Sequence, residues 1–124
     1  KMASILLLED SPTVSDPLRS LLENDGHEVV VCQDAAAAIA LIDRNKPLDL
    51  ALVDYWLEEG TAESVLATLH DKRPDVRVVL ITGGSRDVSV ETTQWLGALD
   101  GIDGFLQKPF TRREIQAVIR QFCG

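Results

Sequence analysis

Cysteine is scarce in this sequence, and so are long apolar segments. The only two cysteines, Cys32 and Cys123, lie far apart and form no CxxC pair, so neither a zinc site nor a disulfide framework is indicated. No apolar run approaches the ~20 residues of a membrane-spanning helix, and the first residues lack the layout of a signal peptide. These absences predict no membrane association and favour a reducing, cytoplasmic location.

Basic residues are also in short supply. Lysine and arginine total 12 against 20 aspartate and glutamate residues, which gives a net charge of −8. An excess of negative charge disfavours direct binding to nucleic acid or to an anionic membrane. The same excess suits a site that collects a divalent cation. The sequence also lacks a phosphate-binding P-loop and a GxGxxG motif, so no nucleotide-binding loop is predicted.

Apolar strands and amphipathic helices alternate five times along the 124 residues. The predicted strands are 3–8, 27–32, 48–54, 76–81 and 102–106. The predicted helices are 12–24, 34–45, 62–73, 88–99 and 111–122. Pro17 either kinks the first helix or moves its start to residues 16–17. This alternation predicts one α/β domain over 1–124, with a five-stranded parallel sheet covered by helices on both faces.

Polar side chains follow four of the predicted strands. Glu9 and Asp10 end the first strand, Asp54 the third and Thr82 the fourth, while Lys108 follows the fifth. All of them fall at the carboxyl edge of a parallel sheet, where ligands of open α/β folds bind. In the flavodoxin-like strand order 2-1-3-4-5, Asp54 is central, and the long side chain of Lys108 can span the roughly 10 Å from two strands away.

This grouping predicts a site that accepts a phosphoryl group. Three neighbouring carboxylates repel one another unless a cation lies among them, and a set of oxygen ligands suits Mg²⁺ or Mn²⁺. A carboxylate such as Asp54 can attack phosphorus and form an aspartyl phosphate. Lys108, the hydroxyl of Thr82 and the N–H of Gly83 can stabilise the charge on the transferred oxygens.

Four short segments carry a resemblance to a known family: LLLED at Glu9-Asp10, LALVD at Asp54, LIT at Thr82 and GFLQKPF at Lys108. In this order, and with strands and helices alternating between them, they resemble a CheY-like response-regulator receiver domain over about residues 5–122. The resemblance implies a phosphoacceptor signalling domain of a two-component phosphorelay rather than a conventional enzyme. It also implies that the domain catalyses its own phosphorylation and dephosphorylation.

The resemblance assigns a role to each site residue. Asp54 is the phosphoacceptor, and Mg²⁺ is held by Asp10, by Asp54 and by the backbone carbonyl of Trp56, with Glu9 acting through water. Lys108 pairs with the phosphoryl group, and its bond to the following proline is cis. Thr82 and Phe105 form the switch pair, which repacks the face made by the fourth helix, the fifth strand and the fifth helix.

The implied phosphoryl donor is a phosphohistidine on a histidine kinase or a histidine phosphotransfer protein. A fused or separate effector domain is a further implied partner. The first strand begins almost at residue 1 and the last helix ends almost at residue 124, so the chain fits a receiver excised from a longer protein as well as a stand-alone one.

Several features depart from the family pattern. The loop 55–60 has no proline, Gly83 and Gly84 follow Thr82, and the stretch 82–108 is a few residues longer than usual. Trp56 is either a surface aromatic that covers the loop or a shield that slows hydrolysis of the phosphoryl group. These departures keep open a degenerate receiver that acts only as a phosphorylation-independent interaction module.

Two other classes fit less well. Phosphatases of the haloacid-dehalogenase type need a second aspartate two positions after the nucleophile, and Trp56 occupies that place. An FMN-binding flavodoxin needs a phosphate loop rich in serine, threonine and glycine after the first strand, and residues 10–13 make a poor one.

Overall fold

In the computed structural model of this protein, which describes residues 2–83 and 101–123, strands and helices alternate along the chain. The strands are β1 (Ser4–Leu8), β2 (Glu28–Cys32), β3 (Leu50–Asp54), β4 (Trp56–Leu57), β5 (Gly60–Thr61), β6 (Arg77–Gly83) and β7 (Gly104–Lys108). The helices are α1 (Pro12–Asn24), α2 (Ala35–Asp43), α3 (Glu63–Lys72) and a C-terminal helix (Arg112–Cys123). The predicted helix 88–99, with Trp95, lies outside the described residues.

Five of these strands form one parallel sheet in the order β2-β1-β3-β6-β7. Counted along the sheet strands alone, this is the predicted order 2-1-3-4-5, and the doubly wound, flavodoxin-like fold is confirmed. Strand β3 lies at the centre, and all five of its residues are buried. The sheet therefore presents the end of β3, at Asp54, to the middle of its carboxyl edge.

Alternate residues of the strands enter two separate cores, one on each face of the sheet, because side chains along a strand point to opposite faces. Leu6 and Val53 pack with residues of α2 and α3 on one face. Leu7 and Leu52 pack with residues of α1 and the C-terminal helix on the other. Helices on both faces explain why the central strands are continuously apolar.

Helices α1 and α2 begin within one residue of their predicted starts. Helix α1 begins at Pro12 after Ser11 and continues through Pro17, so Pro17 lies inside the helix and does not move its start. Helix α2 is capped by Asp34, whose Oδ1 accepts a hydrogen bond from the N–H of Ala37 at 2.8 Å. An aspartate at this position satisfies an N–H group that has no partner within the helix.

Three local features differ from the predictions. The predicted loop 55–60 contains an antiparallel hairpin formed by β4 and β5. His27, predicted as the first residue of the second strand, precedes β2 and is half-buried, and its Nδ1 accepts a hydrogen bond from the N–H of Ala3 at 3.0 Å. The last sheet strand is placed two residues later than predicted, so that it ends at Lys108.

Cys32 is buried in the core, and burial is the main cause that raises the pKa of its thiol to about 11. Within residues 2–83 and 101–123, no helix has both the length and the apolar character that crossing a bilayer requires.

Candidate phosphoacceptor site

Three carboxylates meet at the carboxyl edge of the sheet. Glu9 and Asp10 follow β1, and Asp54 is the last residue of the neighbouring β3, in a register that pairs Leu8 with Val53. Each of the three acids offers an oxygen atom within 4.8 Å of the others. Glu9 and Asp54 are almost fully buried, with 1% and 5% of their surface exposed. The parallel register thus brings together the three acids that the sequence placed at strand ends.

Lys108 reaches this cluster from the last residue of β7, two strands away from β3. Its Nζ lies 3.0 Å from Oε1 of Glu9 and 3.3 Å from Oδ2 of Asp54. The long aliphatic stem crosses the end of β6, which separates the two strands. The bond between Lys108 and Pro109 is cis, as the resemblance implied.

A glycine makes room for this lysine. Gly83 is the last residue of β6 and pairs with Lys108 across the sheet. A Cβ atom at position 83 would lie 2.5 Å from Cβ of Lys108 and 2.7 Å from its backbone nitrogen, which is closer than real Cβ contacts. Only glycine allows the two backbones to approach this closely without displacing Lys108.

The predicted switch residues occupy two different environments. Thr82 is 6% exposed and lies one residue beyond Ile81, the register partner of Asp54. Adjacent strands are about 4.8 Å apart, so the end of β6 flanks the acid cluster. Phe105, on β7, pairs with Leu80 of β6 and is 39% exposed. The switch role of the pair remains a prediction.

The electrostatics of the cluster are dominated by burial. Burial, and then the negative charge of Glu9, raise the pKa of Asp54 to about 7, although Lys108 acts in the opposite direction. Burial opposes the positive charge of Lys108, yet its contacts with Glu9 and Asp54 hold its pKa above the ordinary value. One lysine therefore offsets only part of the charge of three carboxylates.

The residues present fit a divalent cation. All three acids offer oxygen atoms, the ligands that Mg²⁺ prefers. In the part of the chain that the structure describes, Oε1 of Glu9 is buried and has no aligned hydrogen bond, although the ammonium group of Lys108 is nearby. A buried carboxylate oxygen without a full set of partners, beside two further carboxylates, has the chemistry of a cation site.

Two main-chain N–H groups of residues 55–60 also contact the cluster, in addition to that of Ser11, which donates to Oε2 of Glu9 at 3.1 Å. The N–H of Trp56 donates to Oδ1 of Asp54 at 3.3 Å, and the N–H of Glu58 donates to Oδ2 of Asp10 at 2.6 Å. The only sequence signal for them is the absence of proline from residues 55–60, because every residue there keeps its N–H group.

An open groove of about 610 Å³ leads to Asp54. Its walls come from α1 and from the segment that follows Lys108, and its lining is mostly apolar. Asp54, Trp56 and Lys108 belong to this lining. The carboxylate of Asp54 is therefore almost fully buried but borders a space that an incoming group can enter.

Comparison with known proteins agrees with this geometry. Residues 5–120 match the family described as response regulator receiver domain. Over 119 residues, the chain is 34% identical to the sensory transduction protein RegX3 of Mycobacterium tuberculosis (strain ATCC 25618 / H37Rv), a match that covers 96% of this chain and 50% of the relative. It is 33% identical over 119 residues to the transcriptional regulatory protein CpxR of Escherichia coli (strain K12), covering 96% and 48%. The chain thus spans about half the length of these curated relatives.

Solved structures show the same fold. A response regulator receiver domain protein (CheY-like) from Methanospirillum hungatei JF-1 superposes with a TM-score of 0.83 at 28% identity, covering 98% of this chain and 93% of that one. NtrX from Brucella abortus gives a TM-score of 0.85 at 27% identity, covering 98% of this chain and 27% of that chain. Because the family match extends over almost the whole sequence, this chain belongs to the response regulator receiver domains of two-component signalling.

Proposed function

We propose that this receiver domain takes a phosphoryl group from a phosphohistidine onto Asp54. The observation that carries the proposal is the position of Asp54, which contacts Lys108, neighbours two further carboxylates and lines an open groove. The donor is a histidine kinase or a histidine phosphotransfer protein, because the family works in two-component pathways.

In the transfer, a carboxylate oxygen of Asp54 attacks phosphorus as the bond from phosphorus to the histidine nitrogen breaks. The electron pair of that bond stays on the imidazole, and a P–O bond to Asp54 forms. Lys108 lowers the pKa of Asp54 and so favours the ionised form that attacks. Lys108, the hydroxyl of Thr82 and the N–H of Gly83 stabilise the charge on the transferred oxygens.

Mg²⁺ is the cation that we propose for the acid cluster. Asp10, Asp54 and the backbone carbonyl of Trp56 would hold it, with Glu9 acting through water. When bound, it neutralises charge on the phosphoryl oxygens. The switch then involves Thr82 and Phe105, in which the hydroxyl moves toward the phosphoryl group and the ring repacks inward.

The output of the domain is proposed from the lengths of its relatives. RegX3 and CpxR are about twice as long as this chain, so we infer an effector region, fused or separate, that reads the state of residues 1–124. The net charge of −8 favours a domain that does not itself bind nucleic acid. We expect the protein to work in the cytoplasm, where its kinase and effector would meet it.

The proposal is tested by phosphorylation with a small-molecule donor. We expect the wild-type chain, incubated with Mg²⁺ and acetyl phosphate, to gain one covalent phosphate that hydroxylamine removes, as it does from an acyl phosphate. Intact-mass measurement detects the product. Asp54→Asn should gain none, and EDTA should prevent the gain in the wild type.

Two outcomes would contradict the proposal. Failure of the wild type to gain phosphate would favour the degenerate receiver that acts as an interaction module. Phosphate that persists in Asp54→Asn at the wild-type level would show that a different residue is the acceptor.

A further inference from the structure

A short hairpin of residues 56–61 contacts two members of the acid cluster, Asp10 and Asp54. It comprises β4 and β5, with Glu58 and Glu59 at the turn. The N–H of Glu58 donates to Oδ2 of Asp10 at 2.6 Å, although the two residues are 48 positions apart in the sequence. The hairpin thus links the segment after β3 to the end of β1.

The contact to Asp10 depends on two features of this sequence. The first is the absence of proline at position 58, which leaves an N–H group to donate. The second is Gly60, which has a φ of +111° and provides the left-handed residue of the turn. Among described residues only glycines have positive φ, so Glu58 and Glu59 keep ordinary backbone angles.

The base of the hairpin is held by the core. The N–H of Ala62 donates to the carbonyl of Tyr55 at 2.9 Å, and both residues are buried. Leu57 packs against the core on the α2 and α3 face of the sheet. The core therefore fixes the base of the hairpin, and the N–H of Glu58 at the exposed tip points in a defined direction.

We propose that the main-chain N–H of Glu58 is a positioning group for Asp10: it holds Oδ2 and thereby fixes the carboxylate for cation binding. This inference rests on the proposed function, because it assigns Asp10 to the Mg²⁺ site. Groups that hydrogen-bond to metal ligands orient them, and their loss typically weakens metal affinity about 10- to 100-fold. The Glu58 side chain takes no part, because the contact comes from the backbone.

The direct test compares Glu58→Pro with Glu58→Gln. Both variants lose the same side-chain charge, but only the proline variant loses the N–H group. Isothermal titration with MgCl₂, well below the unfolding temperature, gives the Kd for the cation. We expect the Kd of Glu58→Pro to be about 10- to 100-fold weaker than that of Glu58→Gln.

A second pair of variants addresses the hairpin through its glycine. Gly60→Ala forces a side chain onto φ +111°, and Gly26→Ala forces one onto φ +93° in the turn after α1. An added Cβ meets nothing within 4 Å at either position, so the two variants impose a similar backbone strain. We expect both to lower the unfolding temperature measured in EDTA, and only Gly60→Ala to weaken the Kd for Mg²⁺.

These measurements separate positioning from folding. A purely structural role for the hairpin would lower the unfolding temperature of Gly60→Ala and leave the Mg²⁺ affinity of the folded protein at the value of Gly26→Ala. Equal Kd values within both pairs would overturn the positioning role, and phosphorylation of Asp54 by acetyl phosphate would still support the proposed function. If the wild type bound no Mg²⁺, the positioning role would fall. If Glu58→Pro failed to fold, the Kd values of Gly60→Ala and Gly26→Ala would decide whether the hairpin positions Asp10.

Discussion

The two edges of the parallel sheet use acidic residues in opposite ways. At the amino edge, Asp49 accepts a hydrogen bond from the N–H of Ser4 at 2.8 Å, and Asp103 accepts one from the N–H of Val78 at the same distance. At the carboxyl edge, Glu9 and Asp54 lie close to each other and share Lys108. At the amino edge each acid accepts a hydrogen bond from an N–H group at the start of a neighbouring strand, whereas at the carboxyl edge two buried acids share one ammonium group.

The direction of the strands explains the difference. Parallel strands begin with N–H groups that need acceptors, and a carboxylate at the amino edge meets that need. They end with carbonyl groups, which offer no proton to a neighbouring carboxylate. Acids at the carboxyl edge therefore receive N–H groups only from the segments that follow the strands, and Glu9 and Asp54 share the single ammonium group of Lys108. Their remaining negative charge makes this edge suitable for binding a further cation. Three comparisons of variants test this contrast.

The largest difference is expected between variants of two lysines that both form ion pairs, Lys108 and Lys72. Lys108 is partly buried against Glu9 and Asp54, whereas Lys72 pairs with Asp43 at 2.7 Å on the surface. We expect Lys108→Met to slow phosphorylation by acetyl phosphate about 100-fold or more, because it removes a positive group from the transition state. Lys72→Met should leave that rate unchanged, since an exposed ion pair contributes little.

Initial rates of phosphate incorporation, measured by Phos-tag electrophoresis on both folded variants, provide this comparison. A Lys108→Met rate within threefold of the Lys72→Met rate would show that the buried ammonium group has no part in the transfer.

The second comparison concerns the stability of the two edges. Asp103→Ala leaves the N–H of Val78 without its acceptor, so we expect the free energy of unfolding to fall by about 1–2 kcal/mol. Asp54→Asn should act in the opposite direction in the metal-free protein, because it removes a buried charge. We expect its unfolding temperature at pH 8 to rise by about 3 °C or more.

The effect of Asp54→Asn should depend on pH. The pKa of Asp54 is about 7 in the folded protein, against an ordinary value of 3.8. Between these values, the folded state retains a proton that the unfolded state releases, so the contribution of Asp54 to stability falls as pH rises and levels off above pH 7. The increase in unfolding temperature caused by Asp54→Asn should therefore be larger at pH 8 than at pH 5. Thermal unfolding in EDTA at both values tests this, and an equal gain would refute a raised pKa.

The smallest expected effect concerns Trp56, which lines the groove beside Asp54 and is 37% exposed. Its ring meets that of Tyr55 edge to face, with the centroids 5.2 Å apart. If Trp56 shields the phosphoryl group from water, Trp56→Asn should speed dephosphorylation about threefold to tenfold, which corresponds to 1.4 kcal/mol or less. Trp56→Phe keeps an aromatic ring and should stay near the wild-type rate. Equal rates in all three proteins would remove the shielding role.

The fold was largely predictable from the sequence, because strand and helix periodicities are local properties. Buried runs such as LALVD identified the central strand, and the flavodoxin-like order predicted for the sheet was confirmed. The hairpin at residues 56–61 was not predictable, since its tip at Glu58-Glu59-Gly60 has the polar composition of an ordinary loop. The half-buried position of His27 depends on the N–H of Ala3, a partner 24 residues away.

Local sequence patterns indicate which residues end each strand, and therefore that Glu9, Asp10, Asp54 and Lys108 share one edge of the sheet. How those side chains meet depends on the packing of the strands. The register of β1 with β3 sets the spacing of the acids, and the close approach of Gly83 to Lys108 sets the position of the lysine. The hydrogen bond from the main-chain N–H of Glu58 to Asp10 has the same origin. Contacts between distant segments depend on how the strands pack, and no local sequence pattern predicts them.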